Sequence, residues 1–412
     1  MIRTLLALPL CLAVTAAAEV IRIEPSDDVQ FELQEALILA EPGQTIELAE
    51  GVFEMTMGLS LDVDGVTIRG AGMDKTILSF KEQDAGSEGL LITSDGVTLE
   101  DFAVEDTRGD AIKSNGADRI TFRRVRTEWT NGPSPDNGPY GLYPVQSSNV
   151  LIEGCVAIGA SDAGIYVGQS KGVIVRDSRA EYNVAGIEIE NCHGADVYGN
   201  VATNNTGGIL VFDLPDIPVQ GGRDVRVFNN QVFENNTDNF APEGNIVGEV
   251  PRGTGIMIMA NRNVEVFDND INDHDSTAVM IVSYLVTQRP VNDPNYDPYP
   301  SGIHIHSNRI GAYGTNPDLG PMVDAVLAGD YPAIFWDGIV NPELLVDGEL
   351  PPEHRIIIAN NEGDVTFANL NIEEVVAAGL DSSKVKRDLS AHAGELPRLA
   401  PITIAQLEDG DE

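Results

Sequence analysis

The chain has 412 residues, with 65 Asp and Glu against 25 Lys and Arg, for a formal charge of −40. So acidic a surface repels nucleic acid and anionic lipid and keeps a protein dissolved. Nucleic-acid binding is therefore excluded, while adaptation to a salty medium or cation binding would account for the surplus.

Residues 1–18 read as a secretion signal. Arg3 is the positive end, LLALPLCLAV the apolar core, and Ala16-Ala17-Ala18 the small residues before a cut at Glu19. The apolar run is too short to span a membrane, and Cys11 lies inside it without the small residues of a lipoprotein signal. Losing Arg3 takes the charge to −41. The expected mature chain is exported, periplasmic or secreted, with no membrane insertion. Cys155 and Cys192 then remain, in different columns of the repeat described below, so no disulfide is expected between them.

Phe31 to Ala40, FELQEALILA, is amphipathic, with Phe31, Leu33, Ala36, Leu37 and Ala40 on one face. Glu41-Pro42-Gly43 ends it. Such a helix would cap an open row of strand edges. TIELAEGVFEM, GVTIRGAG and TILSF follow as short strands. From Gly89 the pattern is regular: GLLITSDGVTLEDFAVED, then DAIKSNGADRITFRRVRTEW, a Pro/Gly/Asn-rich excursion TNGPSPDNGPYG, then GLYPVQSSNVLIEGCVAIGASD.

Between Ala163 and Phe212 the register is explicit. Gly164, Gly186 and Gly208 recur every 22 residues, and so do Ile165, Ile187 and Ile209. Each unit opens with a period-2 strand and holds a second alternating run such as VIVRDS or ADVYGN, and neither run has helical spacing. A fixed period of this length means one supersecondary unit repeated and stacked. A second column confirms it, aligning Cys155, Ser178, Asn200, Asn230, Asn269 and Asn308 at one turn, where stacked side chains would satisfy bent backbone. Insertions interrupt at DLPDIPVQGG, NNTDNFAPEGNIVGEVPR and LVTQRPVNDPNYDPYP. Insertions in a solenoid tend to collect on one, often binding, face. Beyond about Gly314 the repeat degrades, with PAIFWDGI and HRIIIANN as last strands and NIEEVVAAGL as a short helix.

This arrangement resembles the bacterial parallel β-helix repeat proteins, whose architecture is shared with pectate lyases, over roughly Gln44 to Gly314. The resemblance implies an all-β chain: a right-handed parallel β-helix with an N-terminal capping helix. The expected organisation is a signal at 1–18, the solenoid with its cap and insertions at 19–340, and a C-terminal cap with a partly ordered tail at 341–412. Handedness follows from strand-crossover preference.

With Ile and Val positions inward, the outward column of the opening strands runs Lys113, Tyr143, Tyr166, Glu188, Leu210, Met257, Met280, His304. Its neighbour runs Val145, Gly168, Glu190, Phe212, Met259, Val282, His306. Three zones result. Lys113, Tyr143 and Tyr166, as substrate-binding residues, adjoin Glu188, Glu190 and Asp213, as catalytic candidates; tyrosine rings suit sugar rings, and carboxylates roughly 7 Å apart along a strand suit acid/base work at a glycosidic bond. A solvated strand face would carry the same residue types. Leu210, Phe212, Met257, Met259, Met280 and Val282 form an apolar zone that needs a partner or a cover, and Leu214, Ile217, Phe240, Ile246 and Val247 are suitable cover. His304 and His306 lack an identifiable third metal ligand, so no metal site is assigned.

Asp268, Asp270, Asp273 and Asp275 could hold calcium through oxygen ligands, though their spacing fits no calcium loop and no cofactor is identified. Asn236-Thr237-Asp238 matches the opening motif of polygalacturonases, but that family's remaining motifs do not follow. Asn272-Asp273-His274-Asp275 is similar to an alginate-epimerase motif with its first two places changed. Arg252 is the candidate for a lyase-type base beside calcium-binding acids. The expected function is binding or processing of a polysaccharide or oligosaccharide along the strand face. The alternative is a non-catalytic surface or periplasmic scaffold with a protein or apolar partner.

Overall fold

A computed structural model describes residues 20–408; the expected signal at 1–18 lies outside the described residues. The chain winds through three all-parallel sheets of 12, 11 and 11 strands, visiting them in the same order on every coil. In one coil the strands are Lys171–Arg176 of the first sheet, Arg179–Glu181 of the second and Ala185–Glu190 of the third. Parallel neighbours cannot be joined by a hairpin, so each strand meets its partner only after a full turn. This is a right-handed parallel β-helix.

The inward column runs Leu142, Ile165, Ile187, Ile209, Ile256, Val279 and Ile334, in register and fully buried. Replacing Ile187 by Ala leaves a void that stacked neighbours above and below cannot fill. The expected cost is about 2–5 kcal/mol, read as a lower denaturant midpoint at unchanged slope.

Two asparagine ladders turn the corners. Between first and second sheets, the backbone N–H groups of Asn200, Asn230, Asn269 and Asn308 donate to Oδ1 of Asn230, Asn269, Asn308 and Asn361, at 3.0–3.1 Å. Cys155 and Ser178 begin this column; both Cys155 and Cys192 are buried free thiols, which burial pushes up to about 12. The second ladder, Asn183–Asn205–Asn235, joins second to third sheets. It explains the 22-residue glycine column. A Cβ on Gly164 would sit 2.5 Å from the Asn183 amide, and one on Gly186 2.7 Å from that of Asn205.

Helix α1 (Val29–Leu39) caps the first coil, burying Val29, Leu33, Ala36 and Leu37. Phe31 departs from the expected face. It is 69 % exposed, because the face is set by Val29 and Leu33 one turn apart. Every large insertion leaves the solenoid at one of the two corners bounding the third sheet: residues 129–139, 234–253 and 311–333 on one side, 213–222, 283–300 and 337–355 on the other. Those at 213–222, 234–253, 283–300 and 311–333 pack over that sheet, with helix α2 (Pro321–Leu327) in the last of them, and helix α3 (Ile372–Ala377), beyond the final third-sheet strand, adds to the cover. The first sheet is crossed by the end of the chain. Arg398 reaches Glu265, the Ile402 N–H donates to Asp196, Ile404 packs on Leu151 and Ile174, and the Gln406 amide donates to the Asn149 carbonyl. Among the described residues no helix is long and apolar enough to cross a membrane.

Candidate active site on the third sheet

The outward column of the third sheet places Lys113 beside Tyr143, Tyr166 beside Glu188, and Glu188 beside Leu210. After Met280 comes Phe335, not His304. His304 and His306 lie in the first sheet, opposite Glu265 and Phe267. The expected column fails there because residues 283–300 replace a short corner. The strand after the insertion is already the next first-sheet strand, and its Gly-Ile-x-Ile-x pattern is the same.

The tyrosines form a compact platform. Rings of Tyr140, Tyr143 and Tyr166 lie with centroids 4.4, 4.7 and 4.9 Å apart. Tyr140 and Tyr143 are half-buried, Tyr166 buried. The Lys113 ammonium stands 4.7 Å from the Tyr143 ring centre and 3.5 Å from Asp110. Gly168 makes room for Tyr166: a Cβ there would be 2.3 Å from the phenol oxygen. That ring therefore folds along the strand, and its hydroxyl donates to Glu190 Oε1 at 2.6 Å.

Behind the platform is a cluster of buried carboxyl groups. Glu188 is 1 % exposed and neither of its oxygens has a hydrogen-bond partner. Burial, then the charges of Asp162 and Glu190, hold its pKa well above the usual carboxylate range. Burial raises Glu190 to about 7, against the hydrogen bond from Tyr166. Asp162 is also raised to about 7 by burial and Glu190, opposed by hydrogen bonds from Tyr140 and Asn245, the latter at 3.0 Å. Asp213 stands at the corner, accepting from the Gly222 N–H at 2.7 Å, and burial lifts it to about 6. Tyr296, from the third insertion, donates to the Asp213 carbonyl. The face is therefore roofed by insertions, with Lys113, Tyr140 and Tyr143 as its half-open rim.

Lys113, Tyr143, Tyr166, Glu188, Glu190 and Asp213 are thus neighbours, and Asp110, Tyr140, Asp162, Asn245 and Tyr296 join them. Tyr140 was legible: it heads a column continued by Ala163, Ala185 and Gly207, one large ring above small residues. Asn245 and Tyr296 come from irregular insertions that carry no register. Of the acids considered for calcium, Asp270 is engaged by Arg309 and Asp275 by Arg252.

The apolar zone beside the cluster is buried, Leu210, Phe212, Met257 and Met259 being at most 6 % exposed. Its cover is broader than the expected Leu214, Ile217, Phe240, Ile246 and Val247. Val247 and Val250 are joined by Tyr284, Tyr296, Val326, Leu327, Leu370 and Val375. The cover is incomplete, leaving a cavity of about 590 Å³ over Phe212, Met257, Met259, Met280, Val282 and Phe335. Leu285, Val286, Met322 and Val376 line it and are themselves partly exposed, marking its mouth.

A model of the right-handed β-helix region matches residues 63–222. The chain is a right-handed parallel β-helix protein. Among solved structures, the A-module of the Azotobacter vinelandii mannuronan C-5 epimerase AlgE4 is similar to this β-helix protein at 17 % identity. Their TM-score is 0.55, with 82 % of this chain and 91 % of that one covered. The Yersinia enterocolitica family 28 exopolygalacturonase is similar at 11 % identity and TM-score 0.50, over 72 % of this chain and 66 % of that one. Likeness at such identity concerns the fold. No curated protein matches the sequence.

Proposed function

We propose that this β-helix protein is exported and processes a polysaccharide on the outer face of its third sheet. The observation that carries the reading is the joining of a three-tyrosine platform to carboxyl groups poised for opposite roles. Glu188, without partners and buried, is held toward its neutral form and can donate a proton. Glu190 and Asp162, raised to about 7, titrate where a general base is most effective. Half-buried Tyr143 and Tyr140 offer apolar ring faces to a sugar, and Lys113 at the rim offers a cation to a hydroxyl or carboxylate of the polymer. The epimerase and exopolygalacturonase lend analogy of fold only.

The test compares Tyr143→Ala with Glu190→Gln on glycans selected by the wild type from a broad array, neutral and uronate polymers included. The first is expected to weaken binding. The second is expected to lower turnover about 10²–10⁴-fold while leaving binding in place. Turnover unchanged in Glu190→Gln would refute the assignment.

The apolar cavity favours a second reading, a binding protein for an apolar compound. Under it the wild type retains no glycan, takes up a hydrophobic dye stoichiometrically, and loses the dye when Met257→Lys places a charge in the cavity floor.

A further inference from the structure

On the opposite side of the solenoid, we propose, the side chains of Glu265, His304 and His306 form a binding site for a divalent transition-metal ion, zinc foremost, that Arg398 guards. Three observations carry it. The strand Ser301–His306 directs two imidazoles outward two residues apart, and its register sets Glu265 of the strand Arg262–Phe267 directly opposite His304. One ligand atom from each of the three lies within 4.8 Å of the others, a span that one ion bound at about 2.0–2.2 Å per ligand can bridge with small side-chain adjustments.

The second observation is His304 itself. It is only 5 % exposed, lines a cavity of about 130 Å³ with His306 and Arg398, and neither ring nitrogen has a hydrogen-bond partner. A buried imidazole has at least one donor to satisfy, and leaving it bare is costly. A Lewis-acid partner would take its free lone pair.

The third is what stands there now. Arg398, from the segment crossing the first sheet, donates Nη1 to Glu265 Oε1 at 2.6 Å and contacts His306 Nε2. His306 Nε2 also lies 3.0 Å from Glu265 Oε1, so carboxylate, imidazole and guanidinium converge on one point, while His306 Nδ1 faces the Ser307 hydroxyl at 3.1 Å. An ion taking the guanidinium's place would meet Nε2 and the carboxylate together, with Nδ1 left to the hydroxyl. Arg398 supplies the positive charge that Glu265 requires when buried. Its side chain is 61 % exposed, so it can swing into solvent and surrender the position to a cation. The Leu399 N–H, 3.2 Å from Glu265 Oε2, would still orient the carboxylate.

Two imidazoles and a carboxylate select zinc or its first-row neighbours over calcium and magnesium, which prefer oxygen alone. Three protein ligands leave coordination positions for water or a further ligand.

The experiment uses the full chain, stripped with chelator and titrated with Co²⁺ followed by visible absorption and with Zn²⁺ followed by calorimetry, in excess Ca²⁺ to occupy the acidic surface. One ion per chain is expected, bound at least about tenfold more tightly by Arg398→Gln, which removes a competing positive charge beside the ion, with loss of the site in His304→Ala and Glu265→Gln. The Arg398→Gln gain does not depend on whether the ligand variants fold, and their melting curves report that directly. No stoichiometric binding by either wild type or Arg398→Gln overturns the proposal. So does binding that survives His304→Ala, or that calcium displaces.

Discussion

Between pH 6.5 and 8 the melting temperature is expected to fall as pH rises, the reverse of what a simple acid-labile protein shows. Asp162 and Glu190, at about 7 in the fold, ionise near 4 when unfolded, and burial shifts Glu188 upward in the same direction. The folded state therefore holds more protons than the unfolded one across this window. Since stability rises with pH only where the unfolded state binds more, it declines here, by an amount on the order of a few kcal/mol. Below pH 6.5 buried His274 and His304, each lowered to about 4 by burial, oppose the trend, because they take up protons only on unfolding. Melting curves for wild type and for Asp162→Asn/Glu188→Gln/Glu190→Gln between pH 6.5 and 8 check this. The variant should be flat where the wild type slopes, and equal slopes would place the buried charge elsewhere.

Removing one rung of the first-to-second-sheet ladder should be more damaging than removing a core methyl. Asn230 accepts from the backbone and side-chain N–H groups of Asn200 and donates to the Val197 carbonyl. Asn230→Ala strands all three groups in a dry corner, at about 1–3 kcal/mol each. A total loss of about 3–9 kcal/mol follows, measured by denaturant unfolding. Asn230→Ser should recover part of it, because Ser178 fills an equivalent slot and accepts from Cys155 N–H. An alanine variant as stable as the serine one would mean that water satisfies the corner.

The same contrast explains what was legible in the sequence. Column positions repeat, so Ile165, Ile187, Asn200 and Asn230 can be registered from their spacing alone, as can the adjacency of Tyr166 to Glu188. The glycine column was visible too, though its reason, the second ladder of Asn183, Asn205 and Asn235, was not, because those residues fall in the turn before the aligned strands. Register arithmetic failed at His304 and His306, where an insertion hid a skipped corner between two strands of like pattern. It could not see burial either. Whether Glu188 faces water or a roof depends on insertions such as those carrying Asn245 and Tyr296, whose segments have no period to read.

The end of the chain changes what kind of object this solenoid is. A stack of repeats is held by contacts between adjacent units alone, so its stability is nearly a sum of nearest-neighbour terms and its free end can fray unit by unit. Here residues 398–406 touch strands from Glu265 back to Asn149. Peeling the last coils must also pull this segment off the middle of the stack. Units that share no interface are thereby coupled, and a one-dimensional array is made to unfold more nearly as a single cooperative body.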